Sequence, residues 1–380
     1  MKSTIVKTKD KDLIGSLRGL LGQMLETELV QALLVPRLLP GKDGFVQSLV
    51  TDPEMLKDAN PLAPTMPVQS AQILSDLTSS PFNGRIGAVV KPCELRAVVE
   101  LSKFLQIDLE NIMTIGVDCL GTYEARDYSA MVENDSNLPF QIDLQGVKDG
   151  KVKTNQDSKL RESCQICETP GPTGADLTFG IFGHEPQEEF TLLAGERFEK
   201  ELEQKLSLEL EENNLADRDK AVQKVVTIRK AEREKVFNQL ANQTNGLDKL
   251  MEVLSTCIRC HNCMNVCPIC YCKECVFESS VFEHRSDQFL SWAGRKGAIR
   301  MPTDTLIFHL TRMSHMATSC VSCGMCDSGC PSQLPVSRLF GLIGAELQKT
   351  FEYVPGMDPD AEPPVSVFKE EELQAESGTE

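Results

Sequence analysis

Two cysteine runs of identical spacing constrain this sequence more than any other feature. They are Cys257-x2-Cys260-x2-Cys263-x3-Cys267-Pro268 and Cys320-x2-Cys323-x2-Cys326-x3-Cys330-Pro331. In runs of this kind three thiolates on a short loop hold one face of a [4Fe–4S] cubane, while the fourth, before the proline, ligates the other cluster of the pair. The spacing therefore predicts two clusters with crossed ligation. The predicted ligand sets are Cys257, Cys260, Cys263 and Cys330 for one cluster, and Cys320, Cys323, Cys326 and Cys267 for the other.

Structural zinc and disulfide bonds are the other common uses of so many cysteines, and the sequence favours neither. Structural zinc sites use paired half-sites about a dozen or more residues apart, whereas each run here is a single short stretch. Disulfide bonds belong to oxidising compartments. The first residues, MKSTIVKTKDKDLIGS, contain neither the apolar segment nor the small-residue cleavage site of an export signal. We therefore expect a cytoplasmic protein, from an anaerobic setting because exposed clusters tolerate oxygen poorly.

Charge and hydropathy narrow the classes of partner. The net charge is −17 at pH 7, which argues against nucleic acid or an anionic membrane as a partner. No stretch approaches the roughly 18 apolar residues that a membrane-spanning helix needs. Part of the charge lies in an acidic, proline-containing tail over residues 351–380, which holds too few apolar residues to form a core and is predicted to be disordered.

The N-terminal half carries a strand–helix–strand pattern with two cysteines in it. Residues 85–90 read as a buried strand, residues 94–105 as a helix preceded by Pro92, and residues 112–117 as a second strand. Such a unit makes the two strands parallel neighbours. Cys93 and Cys119 would then lie just beyond the carboxyl ends of adjacent strands, where open α/β sheets bind their ligands.

Four thiols precede residue 257, and one [4Fe–4S] cluster needs four. They are Cys93, Cys119, Cys164 and Cys167, the last two forming a CxxC in a loop-rich segment. We interpret them as the ligands of a third cluster. The alternative for Cys93 and Cys119 is that each is a buried packing thiol, which is the usual role of a lone cysteine.

Several other segments allow two interpretations. Residues 12–35 are predicted to form an amphipathic helix, and its glycines, Gly15 among them, serve either close packing or the approach of a cofactor phosphate to the helix start. Residues 195–250 are predicted to be a charged, solvated helical linker. Its basic side chains are expected to face solvent rather than to form an anion site, and they are Arg229, Lys230, Arg233 and Lys235.

The segment between the two cysteine runs holds three more thiols and a second helix. Cys270, Cys272 and Cys275 either bind a further cluster or metal, with a ligand such as His261, or are free thiols packed beside the cubanes. A helix is predicted after the capping-type start Pro302-Thr303-Asp304. Its four possible ligands are expected to be packing residues, and they are His309, Met313, His315 and Met316.

Taken together, these motifs resemble a known family. The segments are KPCELRA at 91–97, VDCLG at 117–121, the CxxC at 164–167, CxxCxxCxxxCPxCYCKEC from 257, HLTRMSHM at 309–316 and YVPG at 353–356. They look like the beta subunits of the deazaflavin (coenzyme F-420) hydrogenases and formate dehydrogenases, with the formate dehydrogenase branch the closer. In that branch a ferredoxin module also follows the flavin domain. The resemblance covers roughly residues 10–356.

The resemblance implies a multi-domain α+β chain with an FAD-binding domain. The expected parts are an α/β domain with one cluster over residues 1–194, the helical linker over 195–250, an α-rich two-cluster ferredoxin-like domain over 251–350, and the tail. The flavin environment would include the turn from Lys91 to Arg96 and the loop from Gly174 to Gly180, with Asp176 in it. At the family's N-terminal CGGxxT this chain has Ile14 to Gly19, without the cysteine and with Gly15 and Arg18 as the remaining candidates.

The function expected from these features is that of an oxidoreductase subunit. Two clusters, with a third from the N-terminal thiols and a possible fourth, would relay single electrons between a catalytic partner subunit and FAD. The acceptor would be the deazaflavin, ferredoxin or a heterodisulfide-reductase-like subunit. The alternative is a flavin-free adaptor whose clusters bridge two redox enzymes. A redox sensor that binds DNA is a poor third, because no basic recognition helix is evident.

Overall fold

The structure is a computed structural model that describes residues 2–135, 144–152, 159–212, 215–283, 285–298 and 304–367. The contacts between backbone positions divide the chain into two compact units, residues 1–235 and residues 236–380. Residues 368–380 of the predicted acidic tail lie outside the described residues, as do Pro302 and Thr303. No helix in the described ranges is long and apolar enough to cross a bilayer.

The first unit is a mixed α/β fold. Its elements are β1 Lys2–Lys7, α1 Leu13–Glu26, β2 Ala32–Leu38, β3 Phe45–Val50, α2 Ser70–Thr78, β4 Ile86–Val90, α3 Pro92–Lys103, β5 Ile112–Val117, α4 Ala125–Asn134, α5 Glu162–Gln165, β6 Leu177–Gly180, β7 Glu189–Ala194, α6 Glu199–Leu206 and α7 Ala216–Thr244, whose last residues belong to the second unit.

The seven strands form one sheet in the order β1-β7-β6-β5-β4-β2-β3. The inner strands β2, β4, β5 and β6 are parallel, and antiparallel strands flank them on both sides. Both β4 and β5 are buried along their whole length, as parallel strands covered on two faces must be. The predicted strand–helix–strand unit is confirmed, with Ile86 paired to Ile112 and Val90 to Gly116.

Two sequence-based assignments in this unit are wrong. The helix predicted over residues 12–35 ends at Glu26, and Glu28 adopts a left-handed backbone with φ of 53°. Residues 32–35 instead lie in an inner strand, because a short apolar run buried on both faces has no periodicity that separates strand from helix. Leu177–Gly180, expected within a loop, is strand β6.

The segment predicted as a solvated linker is largely packed up to residue 235. Phe198 and Leu202 near α6, and Ala221 and Val225 of α7, are buried in the core beneath the sheet. The many charged residues of α7 hide this packing, because apolar residues at four-residue spacing occupy one stripe while charges fill the rest of the helix surface.

The second unit is helical. Its elements are α8 Leu247–Val253, α9 Asn262–Asn265, α10 Ser286–Lys296, α11 Thr305–Met316, α12 Met325–Ser328 and α13 Val336–Thr350. The tail begins with turns over residues 351–367 in which Tyr353 is buried.

The two cysteine runs have matching backbone conformations. Arg259 and Ser322, each two residues after the first cysteine of its run, have φ near 56°. His261 and Gly324, two residues further on, are also left-handed, and each precedes a single helical turn, α9 or α12. Left-handed residues are uncommon outside glycine, so their repetition shows that both runs wrap their cysteines in the same way.

Candidate iron–sulfur sites

The first cavity in the second unit is lined by cysteines from both runs. It spans about 310 Å³ of space, part of it open to solvent, and its cysteines are Cys257, Cys260, Cys263 and Cys330. Three come from the first run and one from the end of the second, which is the grouping that crossed ligation predicts. Cys263 lies on α9 and is buried, whereas Cys260 is exposed.

The second cavity has the complementary cysteines. It spans about 400 Å³ of space, part of it open to solvent, and its cysteines are Cys267, Cys320, Cys323 and Cys326. Met316, Val321, Met325 and Phe340 provide an apolar wall. Each cavity therefore brings together four thiols in a largely apolar surrounding, which is the donor set that a [4Fe–4S] cluster uses.

Burial makes two thiols of these cavities, Cys263 and Cys326, weaker acids than an exposed cysteine. It raises the pKa of Cys263 to about 11, and it raises the pKa of Cys326 well above its ordinary value. Thiolates are the iron ligands, so cluster assembly must release these protons. A raised pKa is the opposite of what an activated cysteine nucleophile needs.

One helix carries two polar side chains to cysteines of the first cavity. His309 on α11 places its Nε2 3.4 Å from Cys257 Sγ. Arg312, one turn later, donates from Nη1 to Cys263 Sγ over 3.1 Å and from Nη2 to the Cys263 carbonyl over 3.0 Å. His309 is 2% exposed, and its burial lowers its pKa to about 4, so the ring is neutral near pH 7.

These contacts revise the packing role predicted for α11. Met316 is a packing residue on the wall of the second cavity, and His315 is exposed. His309, in contrast, contacts a predicted ligand, and sequence reasoning missed Arg312 altogether. A signal was present: Phe308, Arg312 and Met316 recur at four-residue spacing, which puts an arginine on the apolar face of the helix.

The start of α11 contributes a buried ion pair. Asp304 pairs with Arg259 of the first cysteine run at 2.5 Å, and both side chains are less than 10% exposed. The capping role predicted for Asp304 is therefore replaced by a charge contact that fixes the loop between Cys257 and Cys260.

The three extra thiols do not line either cavity. Cys270 is half-buried, and its pKa is raised to about 11 by burial, against the effect of the nearby Arg312. Cys275 donates to Met264 Sδ over 3.7 Å, and Cys272 is exposed. Over the described ranges, no three His, Cys, Asp or Glu side chains are placed to hold one metal ion. A cubane is a different case, because each of its thiolates binds a separate iron atom.

The first unit gathers its cysteines at one edge of the sheet. Cys93 lies in the first turn of α3, directly after β4, and Cys119 follows β5, so both are at the carboxyl ends of parallel strands. Cys119 donates its backbone N–H to Pro170 O over 2.7 Å, which ties its loop to the one carrying Cys164 and Cys167. Thr122 Oγ1 lies 3.4 Å from Cys164 Sγ.

Charges around Cys119 define its surroundings. Burial raises the pKa of Cys119 to about 11, and the Cys164 thiol adds to this effect. The positive charges of Lys91 and Arg229 act in the opposite direction. Lys91 is 4% exposed, so this edge of the sheet combines thiols with a buried cation.

Three arginines of α7 reach the loops of this edge. Arg218 pairs with the buried Asp118 at 2.5 Å, Arg229 donates to Leu120 O over 2.9 Å, and Arg233 pairs with Glu168. The prediction that the basic run is solvent-facing is therefore wrong for Arg229 and Arg233. It holds for Lys230 and Lys235, which are exposed. The sequence does not distinguish the basic residues that contact these loops from those that face solvent, because both carry the same charge and alternate along one helix.

The residues predicted to bind flavin lie in three segments of the first unit, namely α1, the start of α3 and the residue before β6. Lys91 and Arg96 lie on the cysteine edge, with Arg96 buried in α3. Asp176 precedes β6, at the opposite edge, and its Oδ2 accepts from Thr114 N and Thr114 Oγ1. The start of α1 is occupied by the Asp12 carboxylate, which accepts from Gly15 N over 2.9 Å, and Arg18 donates to Ala59 O. Asp176 therefore lies at the opposite end of the parallel strands from Lys91 and Arg96.

Comparison with known proteins matches both units. The family described as the C-terminal part of the coenzyme F420 hydrogenase/dehydrogenase beta subunit matches residues 83–243, and a family described as 4Fe-4S dicluster domain matches residues 252–334. The first region contains all four N-terminal cysteines, and the second contains both cysteine runs.

Relatives of similar length carry related names. The F420-dependent formate dehydrogenase subunit beta of Methanocaldococcus jannaschii is 25% identical over 96% of this chain and 98% of its own. The F420-dependent formate dehydrogenase 1 subunit beta of Methanococcus maripaludis is 27% identical over 92% of each. A solved chain of the F420-reducing [NiFe] hydrogenase complex from Methanosarcina barkeri, xenon-derivatised, covers 65% of this chain and 94% of its own, with 14% identity and a TM-score of 0.48.

Proposed function

The chain belongs to the beta-subunit family of the coenzyme F420 hydrogenases and dehydrogenases, in its formate dehydrogenase branch, and on that premise we propose that it is the iron–sulfur electron-transfer subunit of an oxidoreductase complex. One observation carries the proposal: two separate cavities in one unit, each lined by four cysteines from both runs. Clusters there would pass single electrons, with the protein setting their potentials through burial and hydrogen bonds to sulfur.

A third cluster at the sheet edge is the next part of the proposal. Cys93, Cys119, Cys164 and Cys167 supply the thiols, and Lys91 and the α7 arginines supply positive charge beside them. A cluster held by four thiolates is net negative, so cations around it stabilise it in a buried setting. Cys270, Cys272 and Cys275 remain candidates for a fourth centre, although neither cavity includes them.

FAD is the finer proposal, and it concerns the same edge of the sheet. When bound, FAD exchanges single electrons with clusters and hydride with a second carrier, which is the chemistry that a deazaflavin requires. Lys91 is the candidate best placed for it, since its charge lies beside Cys119. Asp176 is a poor candidate, because its carboxylate is used by Thr114 at the other edge. The catalytic subunit that handles the substrate would be a separate chain.

A flavin-free adaptor is the second candidate function. The observation that favours it is the start of α1, where the Asp12 carboxylate already accepts from Gly15 N. An anion at a helix start takes the position that a cofactor phosphate would use. In the adaptor the clusters connect two partner enzymes, and a heterodisulfide-reductase-like or ferredoxin acceptor replaces the deazaflavin.

Cofactor analysis of the full chain, purified without oxygen, tests these proposals. Two cubanes give about eight irons per chain, and a third brings the count to about twelve, with matching sulfide. Flavin released on acid denaturation at about one per chain supports the FAD proposal, and iron without flavin supports the adaptor. Protein that contains zinc and no iron would contradict both. Identification of the proteins that co-purify then names the donor and acceptor.

A further inference from the structure

Arg312 lies between the two cysteine quartets, because it lines the second cavity and contacts a cysteine of the first. Its guanidinium donates to the Sγ and the carbonyl oxygen of Cys263, a cysteine of the first cavity. The same side chain lines the second cavity, beside Cys267 and Cys326. It therefore hydrogen-bonds a cysteine of one quartet and forms part of the wall around the other.

The charged partners around Arg312 are cysteine thiols rather than carboxylates. It is 3% exposed, and it lies between the rings of Phe308 and Phe340, whose centroids are 5.6 and 5.3 Å from its Cζ. The charges that act on it most are those of cysteine thiols, Cys263 first among them, and its buried Nε has no hydrogen-bond partner among the described residues. A buried charge is costly unless an opposite charge compensates it. The thiols around it are the groups that become anionic when they bind iron.

We propose that Arg312 is a positioning residue common to both ferredoxin-type clusters, whose charge raises the reduction potential of each and whose hydrogen bond raises that of the Cys263 cluster further. The inference rests on the proposed iron–sulfur function. Each reduction adds one electron to a cluster that is already net negative, and a fixed cation nearby stabilises the added charge. Arg312 itself neither gains nor loses an electron or a proton.

The hydrogen bond distinguishes the two clusters. Donation to Cys263 Sγ withdraws charge from a ligating sulfur, and hydrogen bonds to sulfur are among the determinants of cluster potential. On Cys267 and Cys326 of the second quartet, Arg312 acts through its charge. Arg312 therefore raises the potential of the Cys263 cluster more than that of the second cluster, which shifts an electron shared by the pair toward the Cys263 cluster.

Three variants of the full chain separate charge from hydrogen bonding. Arg312→Met removes both, Arg312→Lys keeps the charge but loses the planar two-point donation, and His315→Gln is the control on an exposed position of the same helix. The measurements are iron content and a redox titration of the anaerobic protein followed by EPR, which do not depend on turnover.

In Arg312→Met we expect both midpoint potentials to fall. For the Cys263 cluster the fall corresponds to at least tenfold in the reduction equilibrium, about 59 mV for one electron. In Arg312→Lys only the Cys263 cluster should fall, and His315→Gln should match the unmodified chain. If Arg312→Met keeps its full iron content and neither midpoint potential changes, the role proposed for Arg312 is wrong, while the proposed iron–sulfur function still stands.

If Arg312→Met loses its clusters, the Arg312→Lys variant tests whether Arg312 sets the potential of the Cys263 cluster. Full iron with a Cys263-cluster potential equal to that of the unmodified chain would then overturn the inference. Absence of clusters from the unmodified chain is a different result, because it removes the proposed function and this inference together.

Discussion

The two groups of cysteines are built in opposite ways. The eight ferredoxin-type cysteines come from two short runs with matching backbone conformations, and each cavity takes three thiols from one run. The four N-terminal cysteines come from three separate segments that only the parallel sheet brings to one edge. Local sequence therefore specifies the first group, whereas the second depends on the register of β4 and β5 and on loop contacts such as Cys119 to Pro170.

The positive charges beside the two groups of cysteines also differ in origin, one coming from a single residue and the other from several segments. A single arginine on α11, a helix lying between the two runs in sequence, lines the second ferredoxin cavity and donates to Cys263 of the first. At the sheet edge the charge comes from Lys91 and from three arginines spread along α7. Because the origins differ, substitutions at one group of cysteines should leave the other group unaffected.

Loss of a ferredoxin ligand should have the largest effect. Cys263→Ser removes a buried thiolate from the first cavity, so we expect loss of that cluster and destabilisation of residues 236–380, because cluster binding is part of folding there. Iron should fall by about four atoms per chain while the sheet-edge cluster persists. Iron analysis, EPR of the reduced protein and limited proteolysis measure this. Unchanged iron and an unchanged spectrum would contradict the crossed ligand sets.

Loss of a sheet-edge thiol should leave the ferredoxin unit intact. Cys119→Ala should remove about one cubane of iron and leave the signals of the other two clusters unaltered. Lys230→Met is the control, since that side chain is exposed and has no part in the proposed ligand sets. If Cys119→Ala and Lys230→Met retain the same iron, Cys119 is a buried packing thiol and the third cluster is lost from the proposal.

The buried ion pair beside Cys119 should matter for stability rather than for ligation. Asp118 accepts from Ile181 N and Phe182 N and pairs with Arg218, so it joins the ends of β5 and β6 to α7. Arg218→Met leaves the Asp118 carboxylate buried and unpaired, which costs about 3–5 kcal/mol. Lys220→Met, which breaks the exposed pair with Asp217, should cost no more than about 1 kcal/mol. Thermal unfolding compares them, and equal midpoints would refute the difference.

The sequence predicts those elements that a short stretch of residues determines by itself. The β4–α3–β5 unit is predictable because buried strands of five or six residues flank a helix that begins at Pro92. The strand at residues 32–38 was missed, because its apolar run continued the pattern of α1 and the left-handed turn at Glu28 has no sequence signal. Arg312 and Arg229 were missed because a charged residue is by default assigned to solvent, and only tertiary contacts show which of them is buried.

The smallest predicted effect concerns the charge on α7. Arg229 is 6% exposed and donates to Leu120 O, whereas its neighbour Lys230 is exposed and has the same charge. Arg229→Met should lower the potential of the sheet-edge cluster and cost about 1.5–3 kcal/mol of stability, the value of a hydrogen bond to a charged group. Lys230→Met should leave both unchanged, because solvent screens its charge. A redox titration with EPR and thermal unfolding compare the two, and the potentials of the ferredoxin-type clusters should not move in either. A shift of those potentials in Arg229→Met would show that the two cysteine groups are electrostatically coupled rather than independent.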